Sequence, residues 1–189
     1  MIGSYLIKLS PECRLATENM EVSKLLHMIG DFERISDHAV NIVESAEEIK
    51  DKKIEFSNEA VHELKIMASA VTEIINLSIS AIKYGDINKA ILVEPLEEVI
   101  DDLRDEIKRR HIIRLQNSKC TIEHGFVLSD LLTNYERIAD HCSNIAACII
   151  EVSKYKALDM HNYSEHIKEN DITFEDHYNA FSEKYSLSV

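Results

Sequence analysis

The chain has 189 residues, of which 45% are hydrophobic and 29% charged, with a net charge of −13. That is enough for one large domain or two small ones around an ordinary core. The acid excess excludes a nucleic-acid surface, which needs clustered Lys and Arg, and it suits cations. Four glycines, two prolines, no tryptophan and only 6% aromatics argue against a fold of many short strands and turns.

From the N-terminus, Ser10-Pro11 reads as a cap followed by proline at the first helical position. A long helix is predicted over 18–52, with Val22, Leu26, Ile29, Val40 and Val43 on one stripe. Phe56-Ser57-Asn58 starts a second helix over 57–84, with Leu64, Met67, Val71, Ile74 and Ile75 inward. Its most apolar run, Ala68 to Ile82, is interrupted by Glu73 and Asn76, so insertion of this chain into a membrane is not expected. Tyr84-Gly85-Asp86 is a glycine stop and an aspartate cap. A third helix follows over 87–116, with Val93, Ile100, Ile107 and His111 on one face. Asn117 to Lys119 form a polar turn before a fourth helix over 121–155. The remainder, 157–189, is a polar tail in which Asp171 to Thr173 can open a short helix. Cys13, Cys120, Cys142 and Cys148 form no C-x-x-C and match no zinc finger. Cys142 and Cys148 read as small buried residues.

One segment occurs twice. Residues 31–42 read DFERISDHAVNI and residues 134–145 read NYERIADHCSNI, with seven of twelve positions identical at an offset of 103. Upstream, Tyr5 to Leu9 (YLIKL) resembles His111 to Leu115 (HIIRL), and Cys13 and Cys120 follow at similar distances. A helical unit has been duplicated. The second copy has two helices ahead of it and the first has almost nothing, so the chain is expected to begin inside a repeat.

Glu33 and Asp37 are one helical turn apart, as are Glu136 and Asp140, so each pair projects from one face. On a helical wheel Asp37 lies about 40° from Glu33, and Leu26, Ile29 and Val40 fall within about 40° on either side. Glu136 and Asp140 share a face with Leu132, Ala139 and Ile150. Carboxylates on a core face are costly unless a charge compensates them. A multivalent cation does so, and oxygen donors suit hard or borderline ions. The alternative is an arginine, either Arg34 or Arg137 curling back or Arg104 from another helix. A partner pair is expected from Glu97 and Asp101, which repeat the spacing beside Val93, Ile100 and Ile107, with Glu94 able to join. Glu98 and Asp102 rank lower because their face is more polar. His38 and His141 are expected to be satisfied helix histidines, and Asn41 and Asn144 to bridge neighbouring helices. A lone E-x-x-H at Glu59 and His62 falls short of a di-iron enzyme, which needs two. No phosphate-cradling glycine loop, H-E-x-x-H or G-x-S-x-G is present.

The doubled E-R-I-x-D-H-x-x-N-I with an acidic helix between its copies resembles the PhoU family. It is closest in wording to the cytosolic PhoU-like region of bacterial sodium/phosphate cotransporters, and the likeness covers about residues 1–156. The resemblance implies an all-α fold of tandem three-helix bundles. The first bundle, residues 1–55, would be truncated at its N-terminus. The second, 56–156, would be complete, with 157–189 as a tail. It implies metal clusters, often iron or zinc, held by Glu33 and Asp37, by Glu136 and Asp140, and by Glu97 and Asp101. It implies regulation of phosphate uptake without catalysis, at the cytoplasmic side of the membrane, with the transporter's membrane domain or a second copy of the chain as partner. The partner pair for Glu33 and Asp37 would lie upstream of Met1. The alternatives are a free-standing PhoU-type signalling protein and a di-metal carboxylate oxidative enzyme.

Overall fold

The computed structural model describes residues 2–10, 16–153 and 172–187, and among these there is no strand. The helices are α1 (Ile2–Leu9), α2 (Ala16–Asp51), α3 (Asn58–Tyr84), α4 (Ile87–Ile91), α5 (Val93–Gln116), α6 (Ile122–Ser153) and α7 (Ile172–Lys184). Their boundaries follow local chemistry. Ser57 caps α3, its hydroxyl accepting from Ala60 N. Gly85 ends that helix with φ 62°, a left-handed conformation that costs glycine little. Asp86 caps α4 by accepting from the amides of Asn88 and Lys89. The start predicted at Ser10-Pro11 involves residues outside those described, as does the chain beyond Ser153 up to α7.

The helix expected over 87–116 is broken at Leu92. The reason is Pro95. Its ring would collide with the carbonyl of Ile91 in a continuous helix. At the third position of α5 its missing N–H is one of the amides without an intrahelical partner in any case.

Helices α3, α5 and α6 pack on one another, α2 lies along α6, and α7 lies on α5. Met67 and Ile74 from α3, Leu96, Ile100 and Ile107 from α5, and Leu132 and Ile145 from α6 are fully buried. Each such side chain stabilises the fold by about 1.5–3 kcal/mol relative to exposure. A smaller cluster of Ile54, Val127 and Leu131 closes the bundle below the α2–α3 turn. Glu63 and Arg114 lock α3 to α5 by a bidentate pair at 2.8 and 2.7 Å, almost wholly buried. By length and composition α3 could also cross a bilayer. Here Met67, Ala70, Val71 and Ile74 bury it in the bundle. Within the tail, α7 is strapped to α5 by the Tyr178 hydroxyl donating to Asp102, and to α3 by Lys184 and Tyr185 on Glu73.

The expected inward stripe of α2 holds at Val22, which is buried, with Leu26 and Ile29 half-buried, and is corrected further along the helix. Val40 and Val43 are 54% and 59% exposed, and Glu33 and Asp37 are exposed with them. The face that α2 turns to α6 runs through Met28, Asp31, Ile35, His38, Ile42, Ser45 and Ile49, in alternating steps of three and four. That is a heptad seam, the pattern of two helices wound side by side. Helix α2 thus carries two apolar stripes, and α6 covers the one through Ile35 and Ile42.

Candidate functional site

The two motif copies meet back to back across α2 and α6, which run antiparallel. His38 Nδ1 lies 2.9 Å from Asn134 Oδ1, and His141 Nδ1 lies 3.0 Å from Asp31 Oδ1. Asp31 and Asn134 are equivalent positions of the repeat, so each copy's histidine is satisfied by the other copy. The two imidazoles stack between them with centroids 5.8 Å apart. Asn41 adds a bond from Nδ2 to Asn134 Oδ1 at 3.0 Å. The histidines are thus satisfied and Asn41 does bridge helices, as expected from sequence. The partners at positions 31 and 134 were missed. They follow each histidine's own position by one heptad upstream, a signal visible only once the helices are known to be antiparallel.

The acids of the second copy lie on the opposite side of that seam, against α5. Glu136 Oε1 accepts from Arg104 Nη1 at 2.8 Å. The same nitrogen donates to Asp101 Oδ1 at 3.2 Å, and Arg104 Nε donates to Asp105 Oδ1 at 2.9 Å. Arg137 reaches back along its own helix to Asp140 Oδ2 at 3.2 Å. Glu97 is half-buried one turn before Asp101. Glu94, one turn further, is buried and accepts from the Ser143 hydroxyl. A groove between α5 and α6 is therefore lined by Asp101, Glu136 and Asp140, with Glu97 and Glu94 one and two turns before Asp101 on α5.

The electrostatics register the crowding. Burial pushes the Asp140 carboxyl above its ordinary range, and Glu136 beside it pushes the same way. Burial likewise raises Asp101, against the pull of Arg104 and with the push of Glu136 and Asp140. The structure thus brings Asp101, Glu136 and Asp140 together. Both arginine compensations foreseen from sequence, by Arg104 and by Arg137, are present. Among the described residues, no three Asp, Glu, His or Cys side chains converge tightly enough to hold an ion as they stand. The donor chemistry fits a hard or borderline cation, but Arg104 stands where the acids of α5 and α6 face each other.

Glu33 and Asp37 are not brought to any other acid pair. Their equivalents on α6 are covered by α5, whereas no described helix takes that place on α2. Glu98 and Asp102 lie off the groove, and Asp102 is engaged by Tyr178. Glu59 and His62 are exposed. Cys142 and Cys148 are buried as expected, and burial pushes the Cys142 thiol up to about 12. Cys13 lies outside the described residues.

An all-helical chain with a duplicated acidic helix and a carboxylate groove defines the class. The family model described as the PhoU domain matches residues 2–46 and 64–149, and the chain belongs to that family. It is 26% identical over 132 residues to a phosphate-specific transport system accessory protein PhoU homolog 1 of Thermotoga maritima, covering 70% of this chain and 56% of that protein. It is 24% identical over 125 residues to a PhoU homolog of Synechocystis, covering 66% and 54%. A third, from Borreliella burgdorferi, is 25% identical over 139 residues, covering 72% and 62%. The chain thus spans little more than half the length of the curated relatives it matches. No solved structure matches it.

Proposed function

We propose that this chain is a regulatory, metal-binding domain that modulates phosphate uptake from the cytoplasmic side of the membrane, without catalysis of its own. In this reading it is joined to the membrane part of a sodium-dependent phosphate transporter. The observation that carries the metal assignment is the meeting of Asp101 with Glu136 and Asp140. Carboxylates desolvated together call for a cation. Glu97, Asp101, Glu136 and Asp140 would hold iron or zinc, whose charge would neutralise the groove and tie α5 to α6. Glu33 and Asp37 would serve a second site, completed by a helix placed on α2 as α5 is placed on α6.

The relatives are named as accessory proteins of phosphate-specific transport, which favours a second reading, a free-standing regulator. Alkaline carbonate extraction of native membranes separates the two. Retention of the gene product supports the transporter domain, and release supports the accessory protein. Elemental analysis of wild type beside Glu136→Ala/Asp140→Ala tests the metal: the variant is expected to lose it, and equal content overturns the assignment. Labelled phosphate uptake in cells carrying the same variant tests the regulatory role, and an unchanged rate and unchanged response to phosphate supply overturn it.

A further inference from the structure

We propose that Arg104 is the resident counter-cation of the α5/α6 groove and that a metal ion enters only by displacing it, so that this residue sets the affinity of the site. The inference rests on the metal reading above. Arg104 Nη1 lies between Glu136 at 2.8 Å and Asp101 at 3.2 Å, and both the Arg104 and Glu136 side chains are largely buried. A guanidinium and a multivalent cation in that space would sit within a few ångströms of each other and repel. The two are therefore alternative occupants.

The groove has a place for the displaced arginine. Its Nε is already held at 2.9 Å by Asp105, whose side chain is 70% exposed. Loss of the Nη1 contacts leaves that anchor in place, so the side chain can swing toward solvent without becoming an unpaired buried charge. Charge counting agrees. Asp101, Glu136 and Asp140 carry three negative charges, and Arg104 and Arg137 carry two positive ones. A divalent ion in exchange for Arg104 brings the groove closer to neutrality than the arginine does. The metal-free protein is thereby kept folded by the same residue that opposes loading, and the site discriminates against weakly bound or singly charged cations.

Two quantities should move in opposite directions. In the full chain, Arg104→Gln is expected to lower the melting temperature of the metal-free protein. The same variant is expected to bind Mn²⁺, followed as free ion by electron paramagnetic resonance, about tenfold or more tightly than wild type, equivalent to at least about 1.4 kcal/mol. Arg104→Lys keeps the charge but cannot hold Asp105 and Glu136 at once. It is expected to fall between the two and serves if the glutamine variant does not fold. Wild type that binds Mn²⁺ while both variants bind it no more tightly overturns the role given to Arg104 and leaves the metal site standing. Absence of binding by all three, and equally by Glu136→Ala/Asp140→Ala, overturns the metal reading itself and this inference with it.

Discussion

Glu33 and Glu136 open the same ten-residue motif on two helices, and their surroundings differ almost completely. Glu136 lies in a groove, gripped by Arg104 at 2.8 Å and crowded by Asp140. Glu33 lies on an exposed face beside Val40 and Val43. The difference comes from α5 and not from the motif. In the main core Leu128 of α6 is 2% exposed, whereas the matching Leu25 on α2 is 42% exposed. A repeated sequence therefore carries a repeated capacity, and a neighbouring helix decides whether it becomes a site.

The strongest way to break the contrast is to loosen the cover. Glu63→Ala leaves Arg114 charged and buried between α3 and α5, and is expected to cost about 3–5 kcal/mol in urea unfolding. A loss under about 1 kcal/mol would mean the pair does not fasten α5. Matched truncations sharpen the contrast. Leu128→Ala is expected to cost about 2–5 kcal/mol and Leu25→Ala under about 1 kcal/mol. Equal costs would show that α2's open face is buried in solution.

A third test uses a residue that differs between the copies. Eleven positions before Glu33 and Glu136, the first copy has Val22 and the second has Gly125. His111 of α5 explains the glycine: its Nε2 is buried without a hydrogen-bond partner among the described residues, and a Cβ at position 125 would come within 2.8 Å of it. Gly125→Ala is expected to destabilise by about 1–3 kcal/mol through overpacking. The added helix propensity of alanine works against that, and a net gain in stability would show that His111 yields.

The smallest effect is the pH dependence. Burial raises the Asp101 and Asp140 carboxyls in the folded, metal-free protein, so the folded state holds these protons more tightly than the unfolded chain. Their contribution is complete below the ordinary aspartate range and is lost as pH rises through the raised values. Melting temperature should respond in that direction over this interval, and Asp140→Asn should flatten part of the slope. An unaltered slope in the variant would remove Asp140 from the account.

Much of this was legible before any coordinates. Ser57, Gly85 and Asp86 marked their boundaries because capping is local chemistry. Met67, Ile74, Ile100 and Leu132 were placed in the core by period alone. The approach of Asp101 to Glu136 and Asp140 could be anticipated because the E-x-x-x-D spacing fixes a face. The break at Leu92 was missed although Pro95 announced it. The packed face of α2 was misjudged for a deeper reason. A helix with two apolar stripes does not say which one a given neighbour covers, and Val40 and Val43 are as hydrophobic as Ile35 and Ile42.

The crossed histidine contacts bear on how α2 finds its place. The apolar residues of the seam, Met28, Ile35, Ile42 and Ile49, repeat every seven residues and can be slid by one repeat and still interlock. Asp31, His38, Asn134 and His141 occur once along it, so they act as an index mark on an otherwise uniform ruler. Because the two pairs are related by the symmetry of the duplication, a slip in either direction breaks both together and strands four polar groups in the seam. The polar centre thus selects one alignment among several that the hydrophobic residues alone would accept.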